Sequence, residues 1–324
     1  MNRRLIKSMA ALALTVALTT GSASALFGKK AEAPAGAPTA QDVELTTYKG
    51  IAAEGQFSAA DAEGGDLTYA AATDPKKGTV EINGASFTYT PKEGAAGSDS
   101  FTYTASDSEG HTSLPAKVSI TIEKTRSGVD YADMDGNSAA NAAQHLAEEG
   151  IFTGGRIGGR YYFEPDKTVS RSEFLALALE TAGRNVTSVT MTGFCDDAAI
   201  PTWAKAYAAA GVLDGVIQGS RTAEGVAFRG GEAVTFNEAA TILNRVLNLD
   251  DVDLEVWYTD REAEPTWASQ AAANMEAASV LSAGSFGSAV MEEAVTRAEA
   301  AQMLSAAKTL LDSETTKPLL PWLR

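Results

Sequence analysis

Thr296-Arg297-Ala298-Glu299 is the stretch that decides how this chain is read. A Thr followed three residues later by Glu forms a capping box, in which the hydroxyl accepts from the Glu amide and the carboxylate reaches back to the Thr amide. Ala300, Met303, Leu304, Ala307 and Leu311 then fall at helical spacing and give the new helix an apolar stripe. Arg297 is the odd residue. It stands in the first turn, where the macrodipole favours anions, and that placement costs about a few tenths of a kcal/mol. An anion shared with the free helix-start amides would offset the cost.

The device occurs twice more. Ser170-Arg171-Ser172-Glu173 opens a helix carrying Phe174, Leu177 and Ala178. Thr235-Phe236-Asn237-Glu238 opens one carrying Ala239, Ile242, Leu243, Val246 and Leu247. The boxes begin at 170, 235 and 296, so the spacings are 65 and 61 residues, a tandem repeat. The cap is kept in all three copies and the Arg in two, so helix initiation and Arg chemistry are separate jobs.

Upstream, Tyr131-x-Asp133, Phe194-x-Asp196 and Tyr258-x-Asp260 share an aromatic-x-Asp pattern. Trp203-Ala204 and Trp267-Ala268 follow in the second and third copies, with Ser138-Ala139 at the matching place in the first. Twelve residues further stand Gly150-Ile151-Phe152-Thr153-Gly154 and Gly215-Val216-Ile217-Gln218-Gly219, and a degraded Ser279-Val280-Leu281-Ser282-Ala283. Phe163-Glu164-Pro165 precedes the first box by the offset at which Phe228 precedes the second. This ordered set resembles three tandem S-layer homology motifs, at 131–193, 194–256 and 257–312.

Each copy is expected to supply two helices joined by a Gly-rich loop. The helix from Trp203 through Ala206, Tyr207 and Ala210 has a thin stripe of its own, so one pair cannot bury both faces and three must share a core. The resemblance implies an all-α pseudo-threefold bundle with grooves between neighbouring copies. It also implies the ligand, a secondary wall polysaccharide commonly carrying a pyruvate ketal on an N-acetylated hexosamine. An Arg fork suits that carboxylate and a Trp face suits the sugar ring. Carried over residue by residue, the candidate ligand-binding set is Arg297, Arg171, Trp267, Trp203, Asp260, Asp196 and Asp133. The candidate capping set is Ser170, Glu173, Thr235, Glu238, Thr296 and Glu299. The competing structural reading packs Trp203 and Trp267 into the core and pairs the Arg residues across copies, with Asp133 or Asp260. Phe236 stands where the second copy should carry its Arg, so at most two grooves are expected to bind well.

The rest of the chain sets the context. Residues 1–25 read as a secretory signal, with Arg3, Arg4 and Lys7 before the apolar run Met9 to Thr20 and Ala23-Ser24-Ala25 as the cleavage site. That run is too short to span a bilayer. Cleavage takes the formal charge from −16 to −19. Such acidity argues against nucleic-acid binding, which needs cations to neutralise phosphates, so an anionic ligand requires a local pocket. Residues 26–40 read as a flexible linker, 125–130 as a hinge and 313–324 as a tail without a sortase-type motif.

Residues 41–124 alternate with period two at Leu67, Tyr69 and Ala71, at Val80 and Ile82, and at Phe87 and Tyr89. The alternation continues at Phe101, Tyr103 and Ala105 and at Val118, Ile120 and Ile122, with Asn83-Gly84 as a hairpin signal. About seven short strands at this spacing point to an antiparallel all-β sandwich. Gly78-Thr79-Val80, Phe87-Thr88-Tyr89-Thr90-Pro91 and Asp99-Ser100-Phe101-Thr102-Tyr103 resemble the Ig-like or cadherin-like repeats of bacterial surface proteins. Some relatives bind calcium, but Asp61, Glu63 and Asp66 fit a solvated turn better, and no metal or other cofactor is expected. Cys195 excludes an intramolecular disulfide and reads as a small buried residue beside Phe194. His111 and His145 read as isolated surface residues.

Together these features predict a non-catalytic exported protein held at the cell surface by its repeats, with the Ig-like domain as a spacer or a contact for other surface proteins. A wall-active enzyme is the first alternative. Its catalytic domain would have to lie in 41–124, which has one His, no Cys and no nucleophile or metal motif. A peptidoglycan-binding envelope protein is the second.

Overall fold

The structure is a computed structural model that describes residues 34–257, 267–281 and 292–315. The expected signal, most of the linker, Asp260 and most of the tail lie outside the described residues. The chain divides into two compact units: one closes at Gly128 and takes in Asp135–Gln144, and the other holds Val129–Met134 and the residues from His145 on.

The first unit is an N-terminal β-sandwich. Its strands are β1 (Thr39–Gln41), β2 (Val43–Tyr48), β3 (Ala53–Gln56), β4 (Ser58–Ala60), β5 (Thr68–Thr73), β6 (Gly78–Asn83), β7 (Ser86–Pro91), β8 (Gly97–Ser106) and β9 (Ala116–Glu123). One sheet runs β2-β9-β8-β5 and the other β3-β7-β6, with β1 paired to β4. The period-two alternation aims Phe87, Tyr89, Phe101, Tyr103, Val118, Ile120 and Ile122 into one buried core. Each such side chain contributes about 1.5–3 kcal/mol by leaving water. Phe57, outside the predicted alternation, completes the core, with ring centroids 4.7 Å from Phe87 and 4.4 Å from Tyr103.

Two expectations need correction here. The sandwich is not purely antiparallel, because β2 runs parallel to β9, with Val43 opposite Val118 through Tyr48 opposite Glu123. A parallel pair needs a long connection, and these two strands lie at opposite ends of the domain, so nearly the whole domain serves as one. The hairpin is also shifted by one residue. Asn83 pairs with Ser86, which leaves Gly84-Ala85 as the loop, with Gly84 at φ 60 in its first position. A two-residue loop opening with a left-handed Gly matches the twist of the flanking strands.

The second unit is mainly helical. Its elements, counting from a helix shared with the first unit, are α1 (Ala140–Glu148), β10 (Gly155–Ile157), β11 (Arg160–Tyr162), α2 (Arg171–Thr181), α3 (Thr202–Leu213), β12 (Ser220–Thr222), β13 (Gly225–Ala227), α4 (Phe236–Leu247), α5 (Leu254–Trp257), α6 (Ser269–Ala277) and α7 (Arg297–Thr315). The helix α7 runs past the expected boundary at residue 312. The three capping boxes form as predicted. Ser170 with Glu173 and Thr235 with Glu238 exchange both bonds, and Thr296 donates to Glu299 at 2.8 Å while accepting from its amide at 3.3 Å.

The expected all-α bundle is corrected in its loops, which contain the small antiparallel hairpins β10-β11 and β12-β13. Gly154 enters the first one at φ 68, where a Cβ would lie 2.3 Å from the Tyr162 carbonyl, so only glycine fits. The stripe expected on α3 is on the wrong face as well: Ala204, Ala208 and Gly211 are buried, at positions i, i+4 and i+7. Close packing on small residues explains why the larger, outward Trp203 and Tyr207 misdirected the pattern. In the degraded third copy Ser279 keeps the left-handed backbone of its counterparts, at φ 57 beside 71 for Gly150 and Gly215.

The residues just before the capped helices interlock. Val169 donates its amide to Val295, Val295 to Val234 and Val234 to Val169, each at 2.9 Å. These three valines are almost fully buried. The circuit gathers the starts of α2, α4 and α7, and Phe174, Leu175, Leu243, Ala300 and Leu304 bury their side chains in this unit.

Candidate functional site

Fixing the three helix starts in one circuit also fixes what stands in their first turns. The Arg297 guanidinium, 14% exposed, lies 5.4 Å above the Phe152 ring. Its Nη1 donates to the Phe163 carbonyl at 3.0 Å and to Glu164 Oε2 at 2.8 Å. Arg297, Phe152, Phe163, Glu173, Leu177 and Trp203 are among the residues that line one cavity of about 210 Å³. Its walls are almost wholly apolar; Arg297 and Glu173 are among the lining residues, and the Glu173 carboxylate is engaged by the Ser170 amide and hydroxyl of the cap. Both side-chain hydrogen bonds of Arg297 use Nη1, so among the described residues its Nε–Nη2 edge makes no hydrogen bond.

This cavity draws on three copies at once. Arg297 comes from the third, Phe152 and Phe163 from the first and Trp203 from the second. An Arg and a Trp of the same copy are therefore not what the fold brings together here. Trp203 is 51% exposed and Trp267 66% exposed, which overturns the core-packing alternative for both. Both side chains stand at the surface, Trp203 with the Tyr207 ring 6.5 Å away.

Arg171 is tied down more fully. It donates to the carbonyls of Phe228 at 3.3 Å and Arg229 at 2.6 Å, and to Glu238 Oε1 at 2.7 Å, with Glu232 at 3.7 Å. The pairing across copies is thus present, but its partners are Glu164 for Arg297 and Glu238 for Arg171, not Asp133. Asp133 is engaged elsewhere, its two oxygens accepting the amides of Phe163 and Glu164, each at 2.8 Å. Asp196 does the same for Phe228 at 2.8 Å and Arg229 at 2.7 Å. The aromatic-x-Asp pattern is therefore a clamp on the loop after the hairpin, a structural role for the two carboxylates expected to bind ligand. Tyr131, the aromatic of the first clamp, packs edge-on against Phe163 with its hydroxyl buried and unpaired, and burial beside Asp133 pushes the phenol up.

Several smaller readings change. Cys195 is exposed, not buried; the burial expected of it belongs to Phe194, which stacks on Phe228 at 5.5 Å. His111 and His145 are partly buried and bonded, to Asp107 at 3.1 Å and Ser305 at 2.7 Å. Asp61 accepts the Glu63 amide at 3.3 Å, as in a polar turn. Among the described residues no group of three or more His, Cys, Asp or Glu side chains could hold a metal ion. No described helix is long and apolar enough to cross a membrane. Phe152, Phe163 and Glu164 are site residues the sequence marked only as spacing landmarks. The fixed offset of Phe163 and Phe228 from their boxes was the available signal.

Comparison with known proteins bears on the first unit. Residues 35–124 match the bacterial cadherin-like domain, so the β-sandwich is a cadherin-like, Ig-like domain whose start precedes the expected residue 41. An endo-fucoidan hydrolase of glycoside hydrolase family 107 is 25% identical over 28% of this chain and 14% of its own, with a TM-score of 0.25. The fibronectin(III)-like modules of Clostridium thermocellum CbhA are 15% identical over 27% of this chain and 47% of theirs, with a TM-score of 0.19. The Ig1-2 module of the Drosophila receptor protein tyrosine phosphatase DLAR is 14% identical over 29% of this chain and 53% of its own, with a TM-score of 0.18. The chain thus spans only a small part of the hydrolase it resembles. No curated protein matches it.

Proposed function

We propose that residues 131–312 are three S-layer homology repeats that hold an exported, non-catalytic protein to the cell wall, with the cadherin-like domain as a spacer or adhesion module. The valine circuit, which relates the three helix starts by a pseudo-threefold arrangement, supports the repeat reading. The observation that carries the function is the cavity lined by Arg297, Phe152 and Trp203, the last 51% exposed. It offers a charge-assisted fork for a carboxylate and an aromatic platform for a sugar ring, the two demands of a pyruvylated wall glycan. The apolar walls suit the acetyl and ketal methyl groups of such a ligand. A protein with a formal charge of −16 has no general attraction for anionic polymers, so binding must come from a pocket of this kind.

The test is sedimentation of the mature protein with purified wall, before and after the non-peptidoglycan polymers are stripped. Binding that vanishes on stripping supports the polysaccharide. Binding that persists transfers the site to peptidoglycan, and an absence of binding to either sinks the anchoring role.

A further inference from the structure

Resting on the reading just given, we infer that Glu164 is an internal competitor for the Arg297 guanidinium and so sets how strongly this groove favours a carboxylate-bearing sugar. The Glu164 side chain is 51% exposed, and its Oε2 lies 2.8 Å from Arg297 Nη1 and 3.4 Å from Lys167 Nζ, so an anion drawn to Arg297 meets a carboxylate already paired with it. It already satisfies part of the charge that a ligand carboxylate would seek. An anion must displace it or approach beside it, against like-charge repulsion; a neutral sugar meets neither obstacle.

The carboxylate holds no backbone amide; its partners are the side chains of Arg297 and, at 3.4 Å, Lys167. Glu164 is in the left-handed region at φ 57, and Asp133 holds the turn through the Glu164 amide. The equivalent residue of the second copy is Arg229, at φ 55, its amide held the same way by Asp196. One backbone state thus carries a carboxylate in one copy and a guanidinium in the other. The neighbouring charge is reversed too, Lys167 in the first copy against Glu232 in the second, and each donates its amide to the carbonyl of the left-handed residue at 3.1 Å. The turn accepts either sign at this position, so the charge of Glu164 matters through Arg297 and Lys167 and not through the backbone.

The experiment uses calorimetry on the full mature chain, with two probes: the methyl glycoside of an N-acetylated hexosamine and its pyruvate-ketal derivative. Glu164→Gln keeps the size and removes the charge. It is expected to bind the pyruvylated probe about threefold to fivefold tighter, the range set by removing one exposed competing ion pair. Glu164→Arg, which copies the second repeat, is expected to exceed that gain, and the neutral probe is expected to respond little to either change. Unchanged or weaker binding of the pyruvylated probe by Glu164→Gln overturns the competitor role. Arg297→Ala separates this from the parent reading. If that variant loses the probe while Glu164→Gln gains nothing, only the competitor role falls. If that variant binds like the unaltered chain, or if nothing binds, the carboxylate groove falls and this inference falls with it.

Discussion

Trp203 and Arg297 line one cavity although they belong to different copies of the repeat. The chain therefore builds its groove by packing copies together, and a substitution in one copy should be read out in a groove it shares with the others.

The first prediction separates cap from ligand. Arg297→Ala is expected to weaken wall binding about tenfold to a hundredfold, the loss of a charge-assisted bond worth ~1.5–3 kcal/mol. The helix should persist, because Thr296 and Glu299 still cap it. Thr296→Ala should lower stability by about 1 kcal/mol with little direct effect on binding. Sedimentation with wall and thermal melting of both variants check the pair, and unchanged binding by Arg297→Ala would make the Arg a structural residue.

The two tryptophans should differ in the same assay. Both are exposed, so Trp203→Ala and Trp267→Ala are expected to leave stability within about 0.5 kcal/mol of the unaltered chain. Trp203→Ala should lower wall binding because its ring faces the Arg297 cavity. A large drop in melting temperature for Trp203→Ala would mean the ring supports the fold after all.

Arg171 should behave unlike Arg297. It bonds two carbonyls and Glu238, so Arg171→Ala removes three bonds, one of them charge-assisted, and is expected to cost about 1.5–3 kcal/mol of stability. Denaturant melts that place Arg171→Ala level with Arg297→Ala would contradict this distinction.

The sandwich should be acid-sensitive through Asp99. Burial opposes its charge, but the amides of Lys77 and Lys76 and the Tyr89 hydroxyl outweigh that and hold the carboxyl below the usual carboxylate range. A depressed folded-state pKa stabilises above the unfolded value and the benefit is lost as pH falls through the folded one. Melting temperature of the protein should therefore fall as pH drops below about 4, the ordinary carboxylate range, and fall less in Asp99→Asn. Equal slopes in the two proteins would remove Asp99 as the cause.

Much of this was legible in the sequence because it is local. A capping box is four residues long, and all three appear where the text of the chain put them. The strands of the sandwich core follow from alternation, which any window of six residues contains. The clamp role of Asp133 was not legible, since its partners Phe163 and Glu164 lie about thirty residues away and are main-chain amides, which leave no mark on composition. The face of α3 was misread because alanine and glycine pack inward while the larger Trp203 and Tyr207 turn outward, the reverse of the usual sorting by hydrophobic size. The parallel pairing of β2 with β9 joins the two ends of a domain, and no window of sequence spans it.

The amide circuit through Val169, Val295 and Val234 has a consequence in time. Synthesis delivers the three valines one after another, and until Val295 arrives the Val169 amide and the Val234 carbonyl lack their partners. Two finished copies thus make an open chain of bonds, and the third both adds its own helices and closes the loop the others began. Contacts between residues so far apart in sequence form late and slow the search for the native state. The helical unit is therefore completed only when the last copy is present.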